Sequence, residues 1–305
     1  MKAWQARIGI LAVAIVWAWG YVATDVAIKH VSVTQMQVYR FGVGVILLCI
    51  IFHKRLKNMN LRTVLYGLAL GVVFFTSMTI HSTALETTTV SKNAFLVVLN
   101  VAIVPIIMFV VFKVKVAKHF FVGVMMMIIG FFILVFNVDI FHLASSLNSL
   151  KDQAHLVLGD YLTLLSSFIF ALHIVLIGYF VRKEDPINLV IIQLSVALIL
   201  SALTCIINGE PIIHIEPTEF KAALPAIAYL SFSAAFGFSG QIAFQKYLPA
   251  SNSALIFSTE SLFASLTSVF LGFEPFSSGL LIGGIIITLG IVMAETGFKF
   301  KERTT

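Results

Sequence analysis

Charge is scarce in this sequence. Only 11% of its 305 residues are Asp, Glu, Lys or Arg and 59% are hydrophobic, against about 25% charged and about 45–50% apolar in a typical soluble domain. That balance excludes a water-solvated globule. Cysteine is rarer still: Cys49 and Cys205 each sit in an apolar run, which supports neither a disulfide framework nor a metal site. No Gly-x-x-x-x-Gly-Lys-Ser/Thr, His-Glu-x-x-His or Gly-x-Ser-x-Gly occurs, so the chain offers no signature of ATP driving or hydrolysis. No cofactor or metal is called for. A cleavage site for a signal peptide is also missing after the first apolar run, which therefore reads as an uncleaved first helix.

What is present is a series of long apolar runs. About 20 apolar residues span the roughly 30 Å hydrocarbon core, and lipid leaves helix as the natural form for such runs. Ten runs qualify, over residues 8–27, 35–52, 63–85, 91–112, 119–136, 156–181, 188–207, 220–247, 251–273 and 277–296. The expected fold is an all-α integral membrane protein of ten transmembrane helices.

The net charge of +6 is a topology signal, because the basic residues lie in short loops rather than on one face of a folded domain. No nucleic-acid partner is expected; the lipid bilayer is. With alternating spans, one side collects 15 Lys and Arg, among them Lys54, Arg55, Lys57 and Arg62, and the other collects 4. Since the cytoplasmic side retains the excess, the chain is expected in the cell membrane with both termini cytoplasmic.

Residues 91–137 align without gaps on 251–297 at a shift of 160, pairing Ser91 with Ser251, Ala94 with Ala254, Gly123 with Gly283 and Gly130 with Gly290. The fourth span then matches the ninth and the fifth the tenth. A shift of five spans inverts the second half, as in many secondary transporters. The expected organisation is two inverted five-helix repeats, 1–137 and 156–298, joined by an external loop at 138–155 and followed by a basic cytoplasmic tail at 299–305.

One stretch runs from Ala84-Leu85 through Thr87, Thr88, Ser91, Asn93, Ala94, Phe95 and Leu96 to Pro105; another from Gln245-Lys246-Tyr247 through Glu260, Phe263 and Ala264 to Leu271-Gly272-Phe273-Glu274. Together these resemble EamA-type members of the drug/metabolite transporter superfamily. Trp19-Gly20 and Arg40-Phe41 fit as well, whereas Glu260-Ser261 stands where the family often has Glu-Pro. The resemblance implies a ten-helix exporter of amino acids, other metabolites or drug-like molecules, with a central cavity lined by both halves.

Ionisable groups inside spans are costly and mark function by default. Glu260 lies mid-helix, about 15 Å from either end at 1.5 Å per residue, beyond the reach of snorkelling; a structural, protonated Glu is the alternative. Its repeat mate is Asn100, which competes with a plain helix-bridging role. Arg40 suits a substrate carboxylate, or else the interface or an ion pair with Asp25 or Asp160. His173 is central in the sixth span and titrates in the physiological range when unperturbed; packing is the alternative. Protons join the small-molecule substrate as a partner if Glu260 or His173 exchanges them. Trp17, Trp19, Tyr21 and Tyr229 are candidate cavity aromatics, against a lipid-belt or core role. Lys92 and Asn93, at a helix start beside a capping Ser91, are candidate gate residues. Gly67-xxx-Gly71 and Gly279-xxx-Gly283 have packing spacing. The leading expectation is a secondary exporter of amino acids or similar metabolites. A multidrug or cationic-compound exporter, and an intramembrane enzyme using Glu260 and His173 as acid and base, stand as rivals.

Overall fold

The computed structural model describes residues 1–56, 59–113, 118–135, 156–213 and 216–296, and among these no strand occurs. The loop expected at 138–155 and the tail at 299–305 lie outside the described residues. The helices are α1 (Ala3–Ile28), α2 (Val33–Phe52), α3 (Leu61–Ala84), α4 (Val90–Val97), α5 (Asn100–Phe112), α6 (Lys118–Val135), α7 (Leu158–Phe180), α8 (Pro186–Ile207), α9 (Pro217–Phe232), α10 (Phe238–Gln245), α11 (Ala250–Phe270) and α12 (Ser278–Thr296). Eight segments, counting α4–α5 and α9–α10 as one each, are long and apolar enough to cross a bilayer; shorter apolar helices cover Phe120–Gly130 and Ser278–Met293.

Because apolar residues surround most of these helices, polar residues decide where they start. Ser32 accepts from Gln35 N at 3.2 Å to begin α2, and Asn60 accepts from Thr63 N at 2.8 Å to begin α3. Asp185 accepts from Ile187 N and Asn188 N, with Pro186 at the first helical position, where its missing N–H costs nothing. For α4 the cap is Thr89, whose hydroxyl accepts from Lys92 N. This corrects the expectation that Ser91 caps: Ser91 is inside the helix, and its N–H donates to Glu274 Oε1 at 2.9 Å.

Two spans are not single helices. The fourth is interrupted at Val98-Leu99, where Leu99, Val101 and Ala102 donate three residues back instead of four. The eighth carries a π turn over Ser233–Gly237. That turn lays Gly237 against the Trp17 indole, so closely that a Cβ there would sit 2.5 Å from Nε1. α11, which holds Glu260, is uninterrupted.

The first and second parts of the chain interlock. α1 packs mainly on α11, α2 on α8, α3 on both α7 and α8, α4 on α11, α5 on α7, and α6 on α12. Gly67 abuts Ile192 and Gly71 abuts Val196, so this glycine pair seats α3 on α8. Large apolar residues such as Phe270, Ile207 and Leu61 are exposed on the outside, while Ser, Thr, Asn, Gln, Arg40 and Glu260 are buried within. This inversion suits a protein whose solvent is lipid.

Polar contacts tie the bundle at both ends. At the end holding the α1–α2 loop, Ser32 and Thr34 hydroxyls donate to Glu210 at 2.6 and 2.7 Å, and His30 meets Glu219 at 2.7 Å. At the end holding the α2–α3 loop, Arg55 pairs with Asp185 at 2.9 Å, and Thr63 donates to Glu184 at 2.7 Å.

Candidate functional site

Between the middle of the bundle and the α1–α2 end lies a cavity. α1 supplies Trp17, Tyr21 and Thr24, a stripe at helical spacing; α3 supplies Ser77 and His81 in the same way. Arg40 enters from α2, Ser166 and Phe170 from α7, Phe238 from α10 and Glu260 from α11.

Arg40 is only 6% exposed. Its guanidinium carbon lies 5.7 Å from the ring centres of both Phe41 and Phe238, and its Nε has no hydrogen-bond partner. Neither proposed acidic neighbour reaches it. Asp25 pairs with Lys29 at 2.6 Å, and Asp160 accepts from Thr88 Oγ1 and Val157 N. Two aromatic faces hold the cation, a contact that strengthens to about 2 kcal/mol when desolvated.

Glu260 is 9% exposed and faces the Tyr21 hydroxyl and, farther off, Arg40. The Arg40 and Glu260 charges do not come within the 4.0 Å of a direct ion pair. The cavity therefore presents a cation on one wall and a carboxyl on another, held apart. His81 stands edge-on to Tyr21, ring centres 5.0 Å apart, with Asn93 beside it. Asn93 in turn donates to Thr163 at 2.9 Å, linking α4 to α7.

An aromatic floor closes the cavity toward the α2–α3 end. Trp17 lies 5.0 Å from Phe257 and from Phe238, and 6.1 Å from Phe170. Phe74 backs Phe238 at 4.5 Å.

Of the residues the sequence singled out, Glu260, Arg40, Trp17 and Tyr21 meet in this cavity. Trp19 is 48% exposed on another face of α1. Tyr229 is half-buried and donates to Val16 O at 2.7 Å behind α1. His173 is buried behind the floor, 5.4 Å from Phe74 and bonded to Gln193 at 2.9 Å, so it shares no cavity with Glu260. Asn100 opens α5 just after the interruption, buried, with Oδ1 unpaired. Lys92 is half-buried on α4 and does not line the cavity. His81, Ser77, Thr24 and Ser166 escaped sequence reasoning. The available signal for His81 was its partner at a shift of 160, Gln241, which is also polar in an apolar run.

An uncharacterized transporter of Archaeoglobus fulgidus is 25% identical over 299 residues, 97% of this chain and 87% of that protein. A solved crystal structure shares the fold with a TM-score of 0.69 at 15% identity, covering 98% of this chain and 99% of the other. The model of the EamA-like transporter family matches residues 5–136 and 157–296. With nearly the whole sequence matched by a family of membrane transporters, this chain belongs to the EamA-like transporter family.

Proposed function

We propose that this transporter exports small polar metabolites carrying both a positive and a negative group, amino acids foremost, across the cell membrane. The separated pair in the cavity carries the reading. Arg40 suits a substrate carboxylate, which guanidinium meets with two parallel hydrogen bonds, and Glu260 suits an ammonium. Trp17 and Tyr21 form the wall between them, and Lys92 and Asn93 at the start of α4 are the gate residues of this reading. Burying either charge without a partner costs several kcal/mol, and a zwitterion compensates both at once. A purely cationic substrate would leave Arg40 unpaired beside a second positive charge, which disfavours that rival.

The architecture we propose is ten transmembrane helices in two inverted halves, 1–137 and 156–298, with both termini cytoplasmic. The positive-charge excess at the α2–α3 end supports the orientation. Two successive matches to one family model support the duplication. A reciprocal contact between α6 and α12 supports the inversion. A Cβ on Gly130 would lie 2.7 Å from Gly283 O, and one on Gly290 would lie 2.7 Å from Gly123 O. Gly123 matches Gly283 and Gly130 matches Gly290, so exchanging each glycine for its mate turns one contact into the other. Such self-complementarity belongs to a two-fold axis. On this orientation the cavity faces outside and the aromatic floor closes the cytoplasmic side, and export proceeds by alternating access around the mid-membrane site.

The test is a mass-spectrometric comparison of metabolites released by cells with and without the protein. Enrichment confined to molecules bearing both charges is expected. Release of permanent cations alone would replace this reading with that of a cationic-compound exporter.

A further inference from the structure

Beneath the aromatic floor lies a set of buried polar side chains that the cavity does not use. Gln241 is fully buried and neither its Nε2 nor its Oε1 has a partner. Gln193 Nε2 and His173 Nδ1 are likewise unpaired, their other atoms being spent on each other. Gln245, one turn beyond Gln241 on the same face of α10, donates to Ile174 O but leaves Oε1 unpaired. Asn100 Oδ1, at the start of α5, is unpaired too. Native interiors pair nearly all such groups. These exceptions call for a cause.

Repeat register supplies one. The caps Ser32 and Asp185 open α2 and α8, which sets a shift of 153 residues for the first two helices of each half. It pairs Trp17 with Phe170, and these two rings touch in the floor. The same shift pairs Arg40 with Gln193 and Gly20 with His173. The shift of 160 that governs the later helices pairs His81 with Gln241 and Glu260 with Asn100. Arg40, His81 and Glu260 line the open cavity; their mates Gln193, Gln241 and Asn100 are buried outside it with unpaired polar atoms.

We propose that His173, Gln193, Gln241 and Asn100 line a second, closed vestibule, through which a small hydrogen-bonding solute passes at the α2–α3 end when the floor parts. The inference rests on the transporter reading above. In two halves related by inversion, whatever lines the pathway on one side has its counterpart on the other, and the counterpart is packed shut while the first is open. Amide and imidazole groups held unpaired in the closed state gain water and solute as partners in the open one. The lining side chains are amides and an imidazole rather than a fixed charge pair, so the vestibule conducts polar solutes without holding them as the Arg40 and Glu260 pair does.

Side-specific thiol labelling tests this. In a Cys49→Ala, Cys205→Ala background, sealed vesicles carrying Gln241→Cys are exposed to a charged, membrane-impermeant methanethiosulfonate from one side or the other, with an N-terminal tag reporting orientation. Thiol reactivity follows exposure, so labelling about tenfold faster from the side of the N terminus is expected, and His81→Cys should show the opposite preference. Gln193→Cys carries the same expectation as Gln241→Cys if the latter does not accumulate. His81→Cys reactive and both glutamine-site thiols inert from either side would overturn the vestibule and leave the transporter reading standing. An inert His81→Cys would remove the open cavity, and with it that reading.

Discussion

Replacing Glu260 by Gln keeps the size of the side chain and its capacity to hydrogen-bond while deleting its charge. The position is buried in the cavity wall facing the Tyr21 hydroxyl, and a neutral amide there costs the membrane less than a carboxylate. Insertion and accumulation should therefore be unchanged. Binding should not. A hydrogen bond to a charged group contributes about 1.5–3 kcal/mol net, against about 0.5–1.5 for a neutral one. An ammonium about 4 Å from a carboxylate at an effective dielectric near 20 adds about 4 kcal/mol before desolvation is subtracted. Taking about 1.4–2.8 kcal/mol as the surviving difference, affinity falls about 10- to 100-fold. Trp17 lines the same cavity, so its fluorescence reports titration of purified protein, and initial efflux rates from vesicles give the transport loss. Asn100→Ala, at the start of α5, should weaken apparent affinity more mildly. Wild-type efflux by well-accumulated Glu260→Gln would show the residue to be scaffold, and the reasoning from charge would fail.

Gly130→Val forces a side chain onto backbone atoms, Gly283 O at 2.7 Å and Ile287 N at 2.9 Å; overpacking of this kind costs about 1–3 kcal/mol, so the thermal midpoint in detergent should drop, as it should for Gly290→Val. Tags at both termini and in the α2–α3 loop should report cytoplasmic and one at residue 146 external; an external C terminus would break the inversion. Burial raises the Glu210 carboxyl's affinity for its proton, but hydrogen bonds from Ser32, Thr34 and Asn208 outweigh it and hold the group below its ordinary value. The tie between Glu210 and the start of α2 is thus present above the unfolded carboxylate's range and lost as pH falls through the lowered folded value. Protease resistance at the α1–α2 end should hold over roughly pH 5–8 and decline in acid, and Glu210→Gln should remove that acid step. If Glu260 or His173 exchanges protons with substrate, an imposed pH gradient should drive vesicle transport; indifference to it at constant substrate would leave a facilitator.

Most of the membrane architecture was legible because a run of 20 apolar residues has few other uses. The breaks were not. Val98-Leu99 contains neither Gly nor Pro, and the π turn at Ser233–Gly237 answers to the Trp17 indole packed against Gly237, a contact between helices far apart in sequence. Glu260 and Arg40 stood out as charges in apolar surroundings, and the fold brings both to one cavity. Trp19 and Tyr229 show its limit: aromatic residues suit lipid, core and cavity alike, and only packing decides among these. His173 was conspicuous for its chemistry, yet the fold sets it behind the floor with Gln193. His81 lies in the last turn of α3, where an imidazole passes for an interfacial residue.

Counterflow with purified protein probes the pairing of Arg40 and Glu260 with a single solute. Proteoliposomes are loaded with an unlabelled zwitterion from the efflux comparison and diluted into a trace of the labelled form. Transient accumulation of label by the wild type, lost in both Arg40→Ala and Glu260→Gln, is the result this account predicts. Undiminished accumulation by Arg40→Ala, or counterflow of permanent cations with none of any zwitterion, would contradict it.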